Sequence, residues 1–152
     1  MSKNLPLTDE EFKYIYSRVP RLCVDVVIKT QEGVLLTQRN IAPYKDLWHI
    51  PGGTVYYRET IEAAVKRIAK EELGVDVEVG GLYDFIENYD ESESRGGWGW
   101  PIALQLKCSI KFGELCPDKQ LAKEARFFKK AEDIPKNTID SQKKFLINLL
   151  NT

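Results

Sequence analysis

Between Gly53 and Val75 the chain reads G-T-V-Y-Y-R-E-T-I-E-A-A-V-K-R-I-A-K-E-E-L-G-V, directly after a Pro51-Gly52 turn. No other stretch constrains the fold as tightly. Ile61, Ala64, Val65 and Ile68 recur at helical spacing, so one helix face must be buried, while Glu62, Lys66 and Lys70 form an i, i+4 series facing water. Gly74 is placed to be the left-handed residue that ends the helix. The last turn runs against helix electrostatics, because Glu71 and Glu72 meet the negative end of the dipole at a cost of a few tenths up to ~1 kcal/mol each. Continuing the apolar phase from Ile61 and Ile68 also carries Glu72 to the core side. A bound divalent cation would offset both penalties, since hard oxygen ligands are what Mg²⁺ requires.

The remaining composition narrows the setting. With 152 residues and 43% hydrophobic content the chain can bury one ordinary core, which predicts a single domain over 1–152. A formal net charge of −1 provides no basic field for a nucleic-acid polymer; a small anionic ligand needs only a local cluster of arginines and a metal. Cys23, Cys108 and Cys116 are odd in number and form no C-x-x-C pair, which argues against a disulfide frame or zinc site and for a reducing cytosol. Residues Met1 to Pro6 lack an apolar leader core, and no stretch approaches the ~18 apolar residues of a membrane span. The expectation is a cytoplasmic protein acting on a small molecule.

Along the chain, Thr8-Asp9-Glu10-Glu11 is a capping-box sequence for a short helix burying Phe12, Ile15 and Val19 and ended by Pro20. Leu22 to Lys29 and Val34 to Arg39 flank a glycine-containing turn and predict a hairpin. Leu22, Val24, Val26 and Ile28 share one face of the first strand, leaving Asp25 on the other as a solvated residue or a ligand contact. Arg39 is a strand-end cation with the same two readings. Residues 75–89 are strand-rich, and 102–112 alternate Ile102, Leu104, Leu106, Cys108 and Ile110 against Gln105, Lys107, Ser109 and Lys111, the pattern of a strand with one wet face. The Gly- and Ser-rich stretch 90–101 carries Trp98 and Trp100; Trp98 is either a lid stacking on a nucleobase or a ring packed on a dimer partner or its own core. Glu124 to Phe128 predicts the last strand, Ala131 to Ile134 a turn of helix, and Asp140 the cap of a final helix burying Phe145, Leu146, Leu149 and Leu150. Two further side chains carry chemistry. His49, the sole histidine, should face away from Trp48 and Ile50 as a base, a ligand contact or a structural strand residue. Glu124 is a spare carboxylate for metal binding or water activation, or else a salt-bridged strand edge. Strands interrupted by helices predict an α/β sandwich.

Gly53, Glu59, Arg67, Ala69, Glu71, Glu72, Gly74 and Val75 stand at the spacings of the Nudix box, which the segment resembles, with Ile68 where that family has Glu. The resemblance implies a Nudix-type α-β-α sandwich with a mixed central sheet. In the general family the Glu replaced here by Ile68 helps bind a catalytic metal cluster. One branch, the GDP-mannose mannosyl hydrolases, is altered at that same place. The likeness to it extends to Asp9-Glu10-Glu11-Phe12, the strand from Leu22, the pair Gln38-Arg39 and Trp48-His49-Ile50-Pro51-Gly52-Gly53. By that resemblance Asp25, Arg39 and Arg67 contact the nucleotide diphosphate. The Gly52 carbonyl and Glu72, aided by Glu71, and Gln120 would hold one Mg²⁺, or Mn²⁺ in its place. A homodimer is also implied. The chain departs from the branch at Thr54, where an Arg is expected, and at Leu121 and Ala122, where a His base is expected. The implied activity is Mg²⁺-dependent hydrolysis of a nucleoside diphosphate linked to another group, with a nucleotide sugar of GDP-mannose type as substrate. The alternatives are a pyrophosphohydrolase of nucleoside triphosphates or ADP-ribose, in which Glu124 replaces the missing carboxylate, and a non-catalytic nucleotide-binding domain.

Overall fold

The β-branched run from Leu22 to Ile28 forms β1 (Arg21–Thr30), and both edges of that strand are used. The structure, a computed structural model, describes residues 6–88 and 95–152. One edge of β1 pairs in parallel with β6 (Pro101–Phe112), placing Cys23 opposite Ala103 and Asp25 opposite Gln105. The other edge takes the short β4 (Gly52–Thr54) antiparallel, with Asp25 opposite Gly52. The tip of β1 turns into β2 (Gly33–Arg39), with Lys29 opposite Val34 and Thr30 opposite Gly33 as the hairpin pattern predicts. Gly33 is required there: its φ is +114°, and a Cβ would sit 2.0 Å from the Phe128 carbonyl oxygen. Strand β2 then pairs with β3 (Trp48–His49) and β7 (Ala122–Phe128), and β5 (Asp76–Glu87) pairs with β6, completing a seven-stranded mixed sheet.

Helices cover both faces. Helix α2 (Ile61–Ile68) packs Ala64, Val65 and Ile68 on Val24, Val26, Ile28 and Leu35. The terminal helix α3 (Asp140–Leu150) packs Leu146 and Leu149 on Val27, Val34, Leu36, Trp48 and Ile50. Adjacent Val26 and Val27 thus serve opposite cores, which is the period-2 geometry of a strand covered on both sides. The α/β sandwich is as expected. Among the described residues no helix is long and apolar enough to cross a membrane.

The departures have physical causes. Helix α1 (Asp9–Tyr16) forms its capping box, with the Thr8 hydroxyl accepting from Glu11 N–H and the Glu11 carboxylate accepting from Thr8 N–H. It ends before Val19, which is exposed, and Leu22 is exposed at the start of its strand. Gln105 is completely buried instead of wet, because the start of β6, with Pro101 and Ala103, is covered on that face, whereas Lys107, Ser109 and Lys111 farther along the same face are exposed as expected. Asp140 is the first helical residue and pairs with Lys143; Ile139 holds the cap position without a side-chain hydrogen bond. Gln142 joins the buried face of α3, whereas Phe145 and Leu150 are only half-buried. Residues 90–94 of the expected lid lie outside the described residues.

Candidate functional site

Thr60 starts α2 by accepting a hydrogen bond from Ala63 N–H, and Glu62 pairs with Lys66 on the wet side. Beyond Ile68 the helix widens into a π-helical turn, Ala69–Leu73, closed by Gly74 at φ 72°. A continuous α-helix is the simpler expectation. The wider turn advances less per residue, and Glu71 and Glu72 both line a cavity of about 270 Å³ beside the ends of β1, β4 and β6. Helix and strand approach closely because the strand carries glycines. A Cβ at Gly53 would lie 3.3 Å from Ile68 Cδ1, and one at Gly52 only 2.0 Å from Asp25 Oδ1.

The Glu72 carboxyl is strongly perturbed. Burial pushes its carboxyl up to about 8, the charges of Asp25 and Glu71 add to that, and the Arg39 charge and a hydrogen bond from the Gly52 backbone oppose it. Asp25 is no solvated strand residue: it is 5% exposed, and its Oδ2 accepts a 2.7 Å hydrogen bond from Gln105 Nε2. The same Gln105 amide also donates to the Ala103 carbonyl, so its orientation is fixed and its Oε1 has no partner among the described residues. Strand alternation concealed this residue. Only the parallel register, which sets Gln105 beside Asp25, brings it out.

Arg67 spends its fork inside the protein. Nε donates to Glu59 Oε2 at 2.7 Å, Nη2 to Glu59 Oε1 and the Thr54 carbonyl at 2.9 Å each, and Nη1 to Glu71 Oε2 at 3.4 Å. The guanidinium also lies 3.7 Å from the centre of the Tyr56 ring. Arg39 lines the cavity, with its Nε donating to the Pro43 carbonyl. Arg21 is a buried cation that composition and spacing did not single out; its Nη1 donates to Thr54 Oγ1 at 2.8 Å and approaches Cys23 Sγ. His49 lines the cavity with its imidazole held neutral, its pKa driven well below the ordinary value by burial and then by the Arg39 charge.

Three expected residues are placed elsewhere. Gln120 is exposed in a tight turn, its N–H donating to Asp118 Oδ1; Leu121 of that loop lines the cavity instead. Glu124 is fully engaged with Arg126 at the exposed edge of β7, at 2.9 and 3.0 Å, and does not reach the site. Trp98 packs edge-on against Phe12 of α1, with ring centroids 6.0 Å apart, so its indole is a brace on that helix and no cavity-lining platform.

Among the described residues no three His, Cys, Asp or Glu side chains could hold a metal by themselves. The residues present suit an ion that keeps water and substrate oxygens in its shell, as Mg²⁺ does; Glu72, Glu71 and the Gly52 carbonyl would be the residues to hold it. The strain on Glu72 supports that fit and predicts a pH dependence. Its folded pKa lies above the ordinary 4.5, so the fold keeps a proton that the unfolded chain releases, and stability falls as pH rises through 4.5 to about 8. The full shift would amount to ~4 kcal/mol between pH 5 and 8.5, but Glu72 is only half-buried, so metal-free protein is expected to lose on the order of 2 kcal/mol from this group, roughly 4–8 °C in melting midpoint. Added Mg²⁺ should reverse the loss, most strongly at the higher pH. Melting curves with chelator and with Mg²⁺ check this; a cation effect that does not grow with pH would separate Glu72 from the metal.

Comparisons with known proteins agree with this geometry. Residues 19–104 match the NUDIX domain. The chain is 42% identical over 91 residues to the low-salt glycan biosynthesis protein Agl8 of Haloferax volcanii, a match spanning 59% of this chain and 58% of that protein. That is less than two thirds of the relative's length. It is 34% identical over 131 residues to an ADP-ribose pyrophosphatase of Methanocaldococcus jannaschii, spanning 86% of this chain and 74% of the other. A MutT NUDIX hydrolase from Burkholderia pseudomallei shares the fold with a TM-score of 0.74 at 24% identity, over 86% of this chain and 97% of that one. The matched domain covers more than half of the chain and contains the whole glycine-to-glycine helix that lines the cavity: the chain belongs to the Nudix hydrolase family.

Proposed function

We propose that the protein hydrolyses a nucleoside diphosphate linked to a sugar, as in GDP-mannose, with one divalent cation, and that water attacks the sugar carbon. The observation that carries this reading is Ile68. It is 2% exposed and packed in the core where the family pattern has a metal-binding Glu, so the helix offers the cation Glu72 and Glu71 only. Mg²⁺, or Mn²⁺ in its place, would supply charge neutralisation to the diphosphate. Arg39 adds positive charge from the β2 end of the cavity. Asp25, held by Gln105, faces the same space, and Arg67 acts by fixing Glu71 and the Thr54 backbone. Attack at carbon asks less of the metal than attack at phosphorus, which commonly draws on two ions clamping both attacking and leaving oxygens. The sugar-related name of the Haloferax relative supports the substrate class.

A second reading, phosphorus attack on ADP-ribose, is favoured by the likeness to the Methanocaldococcus pyrophosphatase over most of this chain. The engagement of Glu124 with Arg126 weakens it, because the substitute carboxylate it requires is outside the cavity. Incubation with Mg²⁺, nucleotide sugars, nucleoside triphosphates and ADP-ribose in ¹⁸O-water separates the two. The expected result is labelled free sugar and unlabelled nucleoside diphosphate. Label in a nucleoside monophosphate or sugar phosphate would overturn it in favour of the pyrophosphatase, and Mg²⁺-dependent binding with no turnover would make the protein a binding domain.

A further inference from the structure

Part of the cavity lining is made of neutral polar side chains that the family pattern does not include. Gln142 of α3 is 4% exposed and lines the cavity. Its Oε1 accepts a 2.8 Å hydrogen bond from Ile50 N–H, which fixes the amide and leaves its Nε2 donors with no partner among the described residues. His49 lines the same wall, 8% exposed, and its ring likewise makes no hydrogen bond among the described residues. Asn88 completes the group, its Oδ1 taken by the Ser141 hydroxyl of α3. The wall is rigid: Ile139 N–H bonds the Trp48 carbonyl, Trp48 N–H bonds the Asn137 carbonyl, and Ile50 N–H bonds Gln142, stitching β3 to the start of α3.

Polar groups that face a cavity and make no hydrogen bond to the protein around them mark a place where a ligand can complete the hydrogen bonding. The chemistry here is specific, with an amide donor, a second amide and a neutral imidazole and no charged side chain of their own. Such a set matches hydroxyl groups, which donate and accept, better than phosphate oxygens, which belong with the arginines. A nucleobase would want a π-face, which the cavity offers at Phe12 beneath Arg21 and Arg95, at Tyr56 beneath Arg67, and at Tyr44 in the loop after Arg39.

We infer that Gln142, His49 and Asn88 form a hydroxyl-reading subsite that binds the sugar of the substrate, with the nucleoside directed toward the Phe12 and Tyr56 side. The inference rests on the nucleotide-sugar reading, and its test is separable from it because binding needs no turnover. Calorimetric titration with Ca²⁺ in place of Mg²⁺ compares GDP-mannose with GDP, UDP-glucose with UDP, and ADP-ribose with ADP, for the parent, Gln142→Met and His49→Phe. Within at least one pair the parent should bind the sugar-bearing ligand more tightly. Each variant should reduce that sugar increment by about tenfold, one lost hydrogen bond to a desolvated partner, while nucleoside diphosphate affinity stays within threefold. Gln142→Met leaves Ile50 N–H unsatisfied and can unfold; His49→Phe leaves that bond in place, and melting curves on both identify a folding failure. An increment retained in the folded variants, an equal loss for diphosphate and sugar, a change that follows the base, or no increment in the parent would each overturn the subsite. Labelled free sugar in the ¹⁸O experiment would uphold the catalytic reading even then.

Discussion

Glu72→Gln is expected to lose ~10²-fold or more of the Mg²⁺-dependent rate while melting no lower than the parent in metal-free buffer at pH 8. The two halves of that result come from one property. Burial, Asp25 and Glu71 together push the Glu72 carboxyl up to about 8, so the carboxylate is a liability to the empty fold and an asset only with a cation beside it. The amide keeps the shape and the capacity to accept from the Gly52 backbone, but it removes the charge. A buried carboxylate kept for packing would show the opposite pattern, with stability falling and rate intact. Initial rates over a Mg²⁺ titration and paired melting curves decide it: equal rates would remove Glu72 from the metal site, and a large drop in melting would assign it to the core.

Much of this arrangement was legible in the chain because its local signals agree. The 3.6-residue period of Ile61, Ala64, Val65 and Ile68 and the left-handed Gly74 describe one helix, and that helix forms. The capping box at Thr8 and the two-residue turn at Gln31-Glu32 are equally local. Residues whose roles depend on what lies across the sheet were not legible. Gln105 alternates like the exposed Lys107 and Ser109, and only the parallel register that sets it beside Asp25 marks it off from them. Gln142 extends the apolar stripe of Leu146 and Leu149 by one turn, where its polar residue type hid its burial, and its Oε1 accepts from Ile50 N–H. Trp98 and Gln120 are placed by contacts that residue type does not announce: the Trp98 ring packs on Phe12, and the Gln120 N–H closes a turn on Asp118 Oδ1 that leaves the residue exposed. The π-helical turn has no signature in the helical period, although the misplaced Glu71-Glu72 pair hinted that the last turn serves something other than the helix.

Arg67→Lys is expected to cost stability and activity together, and the proportion tells what the arginine does. Its fork holds both oxygens of Glu59, the Thr54 carbonyl and Glu71, with side-chain exposures of 20%, 14% and 23% for Arg67, Glu59 and Glu71. Lysine keeps the charge but can satisfy only part of a planar, bidentate set. Removing one partner of a buried pair outright costs ~3–5 kcal/mol; with these groups partly exposed and a charge retained, about 2 kcal/mol is expected, roughly 4–8 °C in melting midpoint. Acid sensitivity should change as well. The hydrogen bonds from Arg67 lead the causes that lower the Glu59 pKa, so that pair adds stability above the ordinary carboxyl range which is lost as pH falls through it. That acid-side loss should shrink in the variant. Because the same fork aims Glu71 and anchors the backbone beside Gly53, kcat/KM should fall by ~10-fold or more even if Arg67 never touches substrate. A double-mutant cycle with Glu59→Gln separates the two roles. Coupling of ~1–3 kcal/mol in stability, and activity losses that do not add, would mean that Arg67 works through Glu59. A rate loss with the melting midpoint unchanged and no coupling would place the guanidinium on the diphosphate itself.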